Sequence, residues 1–139
     1  MTDLGMSGPI LALIGWTFVM WVWLYATRIP AMRAAKIDPQ KVVDSGGKLE
    51  LPPKVTRVAD NYNHLHEQPT VFYALAIVTE IVGAADTISV QLAWLYVLLR
   101  VLHSLVQATA NIVIIRWAVF NIATLVLLAI FVRTVLALT

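Results

Sequence analysis

Cysteine is absent from this sequence, and charged side chains are scarce. Without cysteine, disulfides, thiolate metal sites and cysteine nucleophiles are excluded. Only 13% of the 139 residues are charged, whereas 60% are hydrophobic, and the mean hydropathy is +0.79. A soluble domain of this size needs a far more polar surface than these residues can supply. The composition therefore predicts an integral membrane protein that is surrounded by membrane lipids.

Several chemical motifs are also missing. The sequence has no glycine-rich phosphate loop, no nucleophile elbow and no heptad seam. His64 and His66 are two residues apart, which places them on different faces of a helix, and no third zinc ligand is evident. The basic residues lie mainly in one loop, so we interpret them as a signal for the orientation of the chain in the membrane and not as a surface that binds nucleic acid. We therefore expect no metal site and no nucleic-acid partner.

The apolar segments predict an all-α fold, an integral membrane four-helix bundle that forms one domain over residues 1–139. A bilayer requires about 20 apolar residues per helix. The four predicted helices cover residues 9–27, 54–82, 88–115 and 117–138. The second helix is polar in its first half, and Pro69 near its middle removes the hydrogen bond to the carbonyl of Leu65, which predicts a kink.

A polar loop over about residues 28–53 separates the first two predicted helices. Seven of the ten Lys and Arg residues lie between Arg28 and Arg57. Positively charged loops remain on the cytoplasmic side of membrane proteins. We therefore expect this loop to face the cytoplasm and both termini to lie on the opposite side.

Two predicted helices carry polar stripes at helical spacing. The first stripe consists of Arg57, Asp60, Asn61, His64 and Glu67, and the second of Tyr96, Arg100, His103, Ser104, Gln107 and Asn111. A charge at the bilayer centre costs at least about 2.5 kcal/mol, so the stripes should face each other or another subunit. We expect Arg100 or Arg57 to pair with an acidic residue of the first stripe. The stripes are either interhelical contacts or a binding site.

The segments RVADNYNHLHEQPTVFYALA and RVLHSLVQATANIVIIRW resemble the MAPEG family, membrane-associated proteins in eicosanoid and glutathione metabolism. The resemblance covers most of the chain, and Glu67 and Pro69 match the second-helix signature of the family. His64 stands in place of a family Asn, Asp60 in place of an Arg, and Gln107 in place of a Tyr. The resemblance implies a homotrimer that binds glutathione between neighbouring subunits.

The resemblance also implies roles for individual residues. Arg116 is the candidate catalytic residue, which stabilises the glutathione thiolate, and Glu67 the candidate for binding its amine. Arginines near the first loop are candidates for carboxylate binding, namely Arg28, Arg33 and Arg57. The remaining candidate glutathione-binding residues are Asn61, His64, Arg100, His103 and Gln107.

Three functions remain open at this point. The first is a membrane-bound glutathione transferase or peroxidase that acts on a lipophilic electrophile. The second is a non-catalytic lipid-binding or scaffold protein on the same fold, which Asp60, His64 and Gln107 favour because they depart from the glutathione-binding pattern. The third is a small proton-coupled transporter, with Glu67 as its acid. It ranks last, because four-helix exporters usually carry an acid in the first helix and this helix has none.

Overall fold

A computed structural model describes residues 5–139, and every regular element in this range is a helix. The six helices are α1 (Ser7–Ala34), α2 (Pro39–Asp44), α3 (Pro53–His64), α4 (Gln68–Ile81), α5 (Thr87–Ala108) and α6 (Val113–Leu136). Helix α1 packs against α3 and α5, while α6 packs against α5 and also contacts α4.

Three of these helices, α1, α5 and α6, are long and apolar enough to cross a membrane. Large apolar side chains on them face outward; Phe18 is 63% exposed and Leu125 is 64% exposed. Such outward-facing apolar side chains are expected where lipid, and not water, covers the helices. The predicted all-α membrane protein is therefore confirmed, with three helices in the described residues that could span the membrane.

Helix α1 is longer than the predicted helix over 9–27. It continues through Arg28 and Pro30 and ends at Ala34. The sequence predicts that the loop begins at residue 28, because the charged Arg28 follows directly after the apolar run. A membrane helix tolerates an internal proline when its surroundings satisfy the freed backbone groups. The polar loop therefore begins at residue 35 and contains the short helix α2.

The predicted helix over 54–82 is divided into α3 and α4. Helix α3 ends at His64, after which the His66 N–H donates to the Asn63 carbonyl and the Glu67 N–H to the His64 carbonyl, at 2.9 and 3.3 Å. Both hydrogen bonds join residues three positions apart, which is the pattern of 3₁₀ turns. Pro69 lies in the first turn of α4, a position where proline costs no hydrogen bond. Pro69 therefore starts a new helix, and the predicted kink within a single helix is corrected.

The boundary between the last two helices also differs from the prediction. Helix α5 ends at Ala108 and α6 begins at Val113, so Ile115 belongs to α6. Asn111 lies between them with a φ of 53°, in the left-handed region. Asn is one of the few residues that adopts this conformation readily, and it reverses the chain here. The predicted helices over 88–115 and 117–138 are corrected accordingly.

The helices define two ends of the molecule. The loop end comprises the end of α1, the start of α3, the end of α5 and the start of α6. At the opposite end, Glu80 Oε2 accepts a hydrogen bond from the Met6 N–H at 2.8 Å. Arg133 Nη2 lies 2.5 Å from Asp86 Oδ2. Glu80, Asp86 and Arg133 therefore join neighbouring segments at this end.

Asp86 makes this end sensitive to acid. Hydrogen bonds from Ser89, together with the nearby charge of Arg133, hold the pKa of Asp86 below its usual value. Because the pKa of Asp86 is lower in the folded than in the unfolded protein, the ionised carboxylate stabilises the fold. This stabilisation is complete above about pH 3.9, the pKa of a free Asp, and is lost as the pH falls through the pKa of Asp86 in the folded protein. We expect Asp86→Asn to remove this acid-dependent loss, measured as thermal midpoints in detergent across acidic pH. The exposed Glu50→Gln variant should keep the wild-type profile.

Candidate functional site

A polar pocket of about 280 Å³ opens at the loop end between α3, α5 and α6. The turn after α3 and the turn between α5 and α6 complete its walls. Its lining consists of Arg57, Asp60, Asn63, His64, Glu67, Gln107, Asn111 and Arg116. The two polar stripes predicted from sequence therefore meet here, and we call this cavity the polar pocket.

Two arginines with neutral partners line the polar pocket. Arg57 Nη1 donates to the Thr109 carbonyl at 3.0 Å, which ties α3 to the end of α5. Arg116 Nη1 donates to Asn111 Oδ1 at 2.6 Å. Within residues 5–139, neither arginine forms a salt bridge, and Arg116 Nε is buried without a hydrogen-bond partner there. Both guanidinium groups thus retain their positive charge for an anionic ligand.

Acids and neutral polar groups complete the lining. Asp60 and Glu67 also line the pocket without forming a salt bridge to either arginine, and His64 Nδ1 lies 3.0 Å from Glu67 Oε2. Gln107 Oε1 is buried and has no hydrogen-bond partner within the described chain. A buried acceptor of this kind is costly unless a ligand or water satisfies it. The pocket therefore presents anion-binding, amine-binding and amide-binding groups together.

A second cavity adjoins the polar pocket on the α6 side. It measures about 340 Å³, and we call it the apolar pocket. Its lining consists of His64, Glu67, His103, Val113, Arg116, Trp117 and Phe120. His64, Glu67 and Arg116 line both cavities. Trp117 is 64% exposed on the outer surface of α6, so the apolar pocket borders the region that lipid covers.

The family is established by comparison with known families. The MAPEG family model matches residues 6–136, which is nearly the whole chain. The chain belongs to the MAPEG family. This confirms the family predicted from the second and third helices, and together with the apolar helices it identifies an integral membrane protein of that family. Searches of curated proteins and of solved structures gave no match.

Five of the ten predicted site residues line the polar pocket of this MAPEG chain; they are Arg57, His64, Glu67, Gln107 and Arg116. Arg33 is exposed in the last turn of α1 and lines none of the described cavities. His103 lines only the apolar pocket, where its ring centroid lies 6.4 Å from that of His64. Arg28 lines a third cavity of about 170 Å³, which shares Asp60 and Asn63 with the polar pocket.

Arg100 lies outside all of these cavities. It is only 2% exposed, and its Nε donates to the Tyr96 hydroxyl at 3.0 Å. Its Nη2 donates to Gln68 Oε1, and its guanidinium carbon lies 5.2 Å from the centre of the Phe120 ring. The predicted ion pair with Glu67 or Asp60 is therefore wrong: an amide, a hydroxyl and aromatic faces surround this cation.

Asn61 is also buried away from the polar pocket. It is 1% exposed, and neither its Nδ2 nor its Oδ1 has a hydrogen-bond partner within the described residues. Asn61 lies in the last turn of α3 and shares a helical face with Arg57 and His64, but its side chain is in the packed interior. The stripe predicted from sequence therefore has members on the pocket wall and members in the core.

Two further residues lie near the site of this MAPEG protein, and the polar stripes in its sequence did not indicate either of them. Asn63 lines the polar pocket, one turn before Glu67, but lies off the predicted stripe. Gln68 holds Arg100 and also donates from Nε2 to Thr124 Oγ1 at 2.7 Å. At the start of α4, Gln68 faces the interior, and the proline that follows it at position 69 is the only sequence feature that indicates a new helix here.

Within the described residues, no cluster of three or more metal-ligating side chains is present.

Proposed function

We propose that the chain is a MAPEG-type glutathione transferase or peroxidase that acts on lipophilic electrophiles. In this proposal α3 and α4 together form the fourth span, and three chains assemble as a homotrimer, as the family resemblance implies. The loop end faces the cytoplasm, since most Lys and Arg residues lie there. The observation that carries the proposal is the position of Arg116, which lines the polar and the apolar pocket at once.

The lining of the polar pocket matches the groups of glutathione. This tripeptide carries two carboxylates, one ammonium group, two amides and a thiol. Arg57 would bind a carboxylate, whereas Asp60 and Glu67 would bind the ammonium group. Gln107 Oε1, which is buried without a partner in the described chain, would accept from a peptide N–H. Arg28 is a candidate for the second carboxylate, because its cavity shares Asp60 with the polar pocket. Asn61 and Arg100 are not part of this set.

Arg116 would stabilise the thiolate of the bound glutathione. A free thiol has a pKa of about 8.5, and a neighbouring guanidinium lowers it and increases the reactive fraction at neutral pH. The thiolate sulfur would attack the electrophilic carbon of an acceptor in the apolar pocket. A carbon–sulfur bond forms, and the leaving group departs with the bonding electron pair. The protein contributes positioning and cationic stabilisation.

The direct test is an assay of the purified full-length protein in detergent. We expect glutathione to raise the thermal midpoint, because a ligand that binds only the folded state stabilises it. We also expect turnover with chlorodinitrobenzene, a generic electrophile, above the rate of an equal preparation inactivated by heat. If glutathione neither stabilised the protein nor supported turnover, the proposal would be contradicted.

A second candidate function is a non-catalytic lipid-binding or scaffold protein. It is favoured by an apolar cavity of about 370 Å³ between α1 and the α3–α4 break, whose walls include Phe18, Trp21, Leu65 and Tyr73. Asp60 favours it as well, because it stands where the family resemblance places an arginine. Stabilisation of the folded protein by fatty acids, without stabilisation by glutathione, would support this second function over the first.

A further inference from the structure

His64 and Glu67 form a hydrogen-bonded pair across the break between α3 and α4. His64 Nδ1 lies 3.0 Å from Glu67 Oε2. An ionised carboxylate only accepts hydrogen bonds, so Nδ1 carries the hydrogen in the neutral imidazole. The lone pair then resides on Nε2, which is the basic nitrogen. The break makes this pair possible, because Glu67 lies outside regular helix and its side chain turns back toward the last turn of α3.

The pair is accessible from both pockets. The side chains of His64 and Glu67 are 39% and 63% exposed, and both line the polar and the apolar pocket. The charged and titratable groups that share these walls come from three elements: Arg57 and Asp60 from α3, His103 from α5, and Arg116 from α6. A thiol bound beside Arg116 therefore lies in a cavity that His64 also lines.

We propose that His64 is the general base that removes the proton from the glutathione thiol, and that Glu67 is its positioning residue. This inference rests on the proposed function and adds a proton acceptor to it. The thiol proton moves to His64 Nε2, while the electron pair of the S–H bond remains on sulfur. The resulting imidazolium is stabilised by the Glu67 carboxylate, and the thiolate by Arg116.

The proton leaves His64 in a way that depends on the acceptor. When the thiolate adds to an activated double bond, the imidazolium returns the proton to the carbanion that forms. When the thiolate displaces a leaving group, the group departs as an anion and the proton passes to water. His64 suits both roles, since imidazole is the side chain that most often serves as a general acid and base in enzymes.

The test follows the thiolate and the proton separately after the full-length protein is mixed with glutathione at about pH 8, where a free thiol is mostly protonated. Ultraviolet absorbance reports the thiolate, and a pH indicator reports protons released to the medium. In the wild type, we expect fast thiolate formation, with one proton reaching the medium per thiolate. In His64→Asn, we expect thiolate formation about 100-fold slower, with the same proton count.

His66→Asn is the matched control. His66 lies two residues from His64, bonds the Tyr62 carbonyl at 2.9 Å through Nδ1, and lines the cavity beside α1. This variant should retain the wild-type rate and proton count. Glu67→Gln provides a second variant if His64→Asn does not fold, and it should also slow thiolate formation. Calorimetric binding of S-methylglutathione shows which variants are folded.

Two outcomes would overturn the inference and can be told apart. Thiolate formation in both His64→Asn and Glu67→Gln at the wild-type rate would exclude the general base while leaving the proposed function intact. Absence of any thiolate in the wild type would overturn the proposed function itself, and the general base with it.

Discussion

Replacement of Arg116 by alanine is expected to lower kcat/KM for glutathione conjugation by about 100-fold to 1000-fold, the usual effect of removing one charged donor from a developing anion. Arg116 is the one cation that lines both pockets in the described structure. Its Nε is buried without a hydrogen-bond partner there, so this donor is available to a bound thiolate. The loss should appear mainly in kcat, because the thiolate charge is stabilised more strongly than the thiol.

The measurement is steady-state kinetics of the purified variant with glutathione and chlorodinitrobenzene. Lys41→Ala is the matched control, since Lys41 is an exposed cation of α2 that lines none of the described pockets. It should retain the wild-type kcat/KM. An Arg116→Ala enzyme with the wild-type kcat/KM would remove Arg116 from the proposed mechanism.

Gln68→Leu is expected to lower the free energy of unfolding by about 3 kcal/mol, because it leaves a buried cation without a strong acceptor. Arg100 is 2% exposed and donates to Gln68 Oε1. Gln68 also bonds Thr124, so it joins α4 to both α5 and α6. The Tyr96 hydroxyl and the aromatic faces remain in the variant, but they cannot replace the amide oxygen.

Detergent-induced unfolding of the purified protein measures this loss. Gln91→Leu, on the exposed surface of α5, is the control and should stay within about 0.5 kcal/mol of the wild type. Gln68→Leu combined with Arg100→Met should recover most of the lost stability, because the double variant no longer buries a charge. A double variant less stable than Gln68→Leu would contradict this account of Arg100.

Helical spacing predicted the convergence at the polar pocket because it determines which residues share a face. Arg57 and His64 of the first stripe and Gln107 of the second do meet there. Spacing does not determine which neighbour a face contacts. Arg100 shares a face with Gln107 but lies two turns deeper, where Gln68 of α4 accepts its hydrogen bond and neither Asp60 nor Glu67 forms a salt bridge with it.

The break after His64 shows a second limit of the sequence. Pro69 removes one backbone hydrogen bond, and this is compatible with either a kink or a new helix. The structure has a new helix, so Glu67 leaves the regular face and forms a pair with His64. The contact of Glu80 with the Met6 N–H joins residues 74 positions apart. No local pattern encodes such a contact, because it depends on how α4 lies beside the start of α1.

The central claim is that the polar pocket holds glutathione with its thiol at Arg116. A cryo-electron microscopy structure of the full-length protein in lipid nanodiscs, prepared with glutathione, tests it most directly. We predict ligand density in the polar pocket, with a carboxylate at Arg57 and the sulfur beside Arg116. Glutathione density at another site, or lipid density in the polar pocket at saturating glutathione, would contradict the claim.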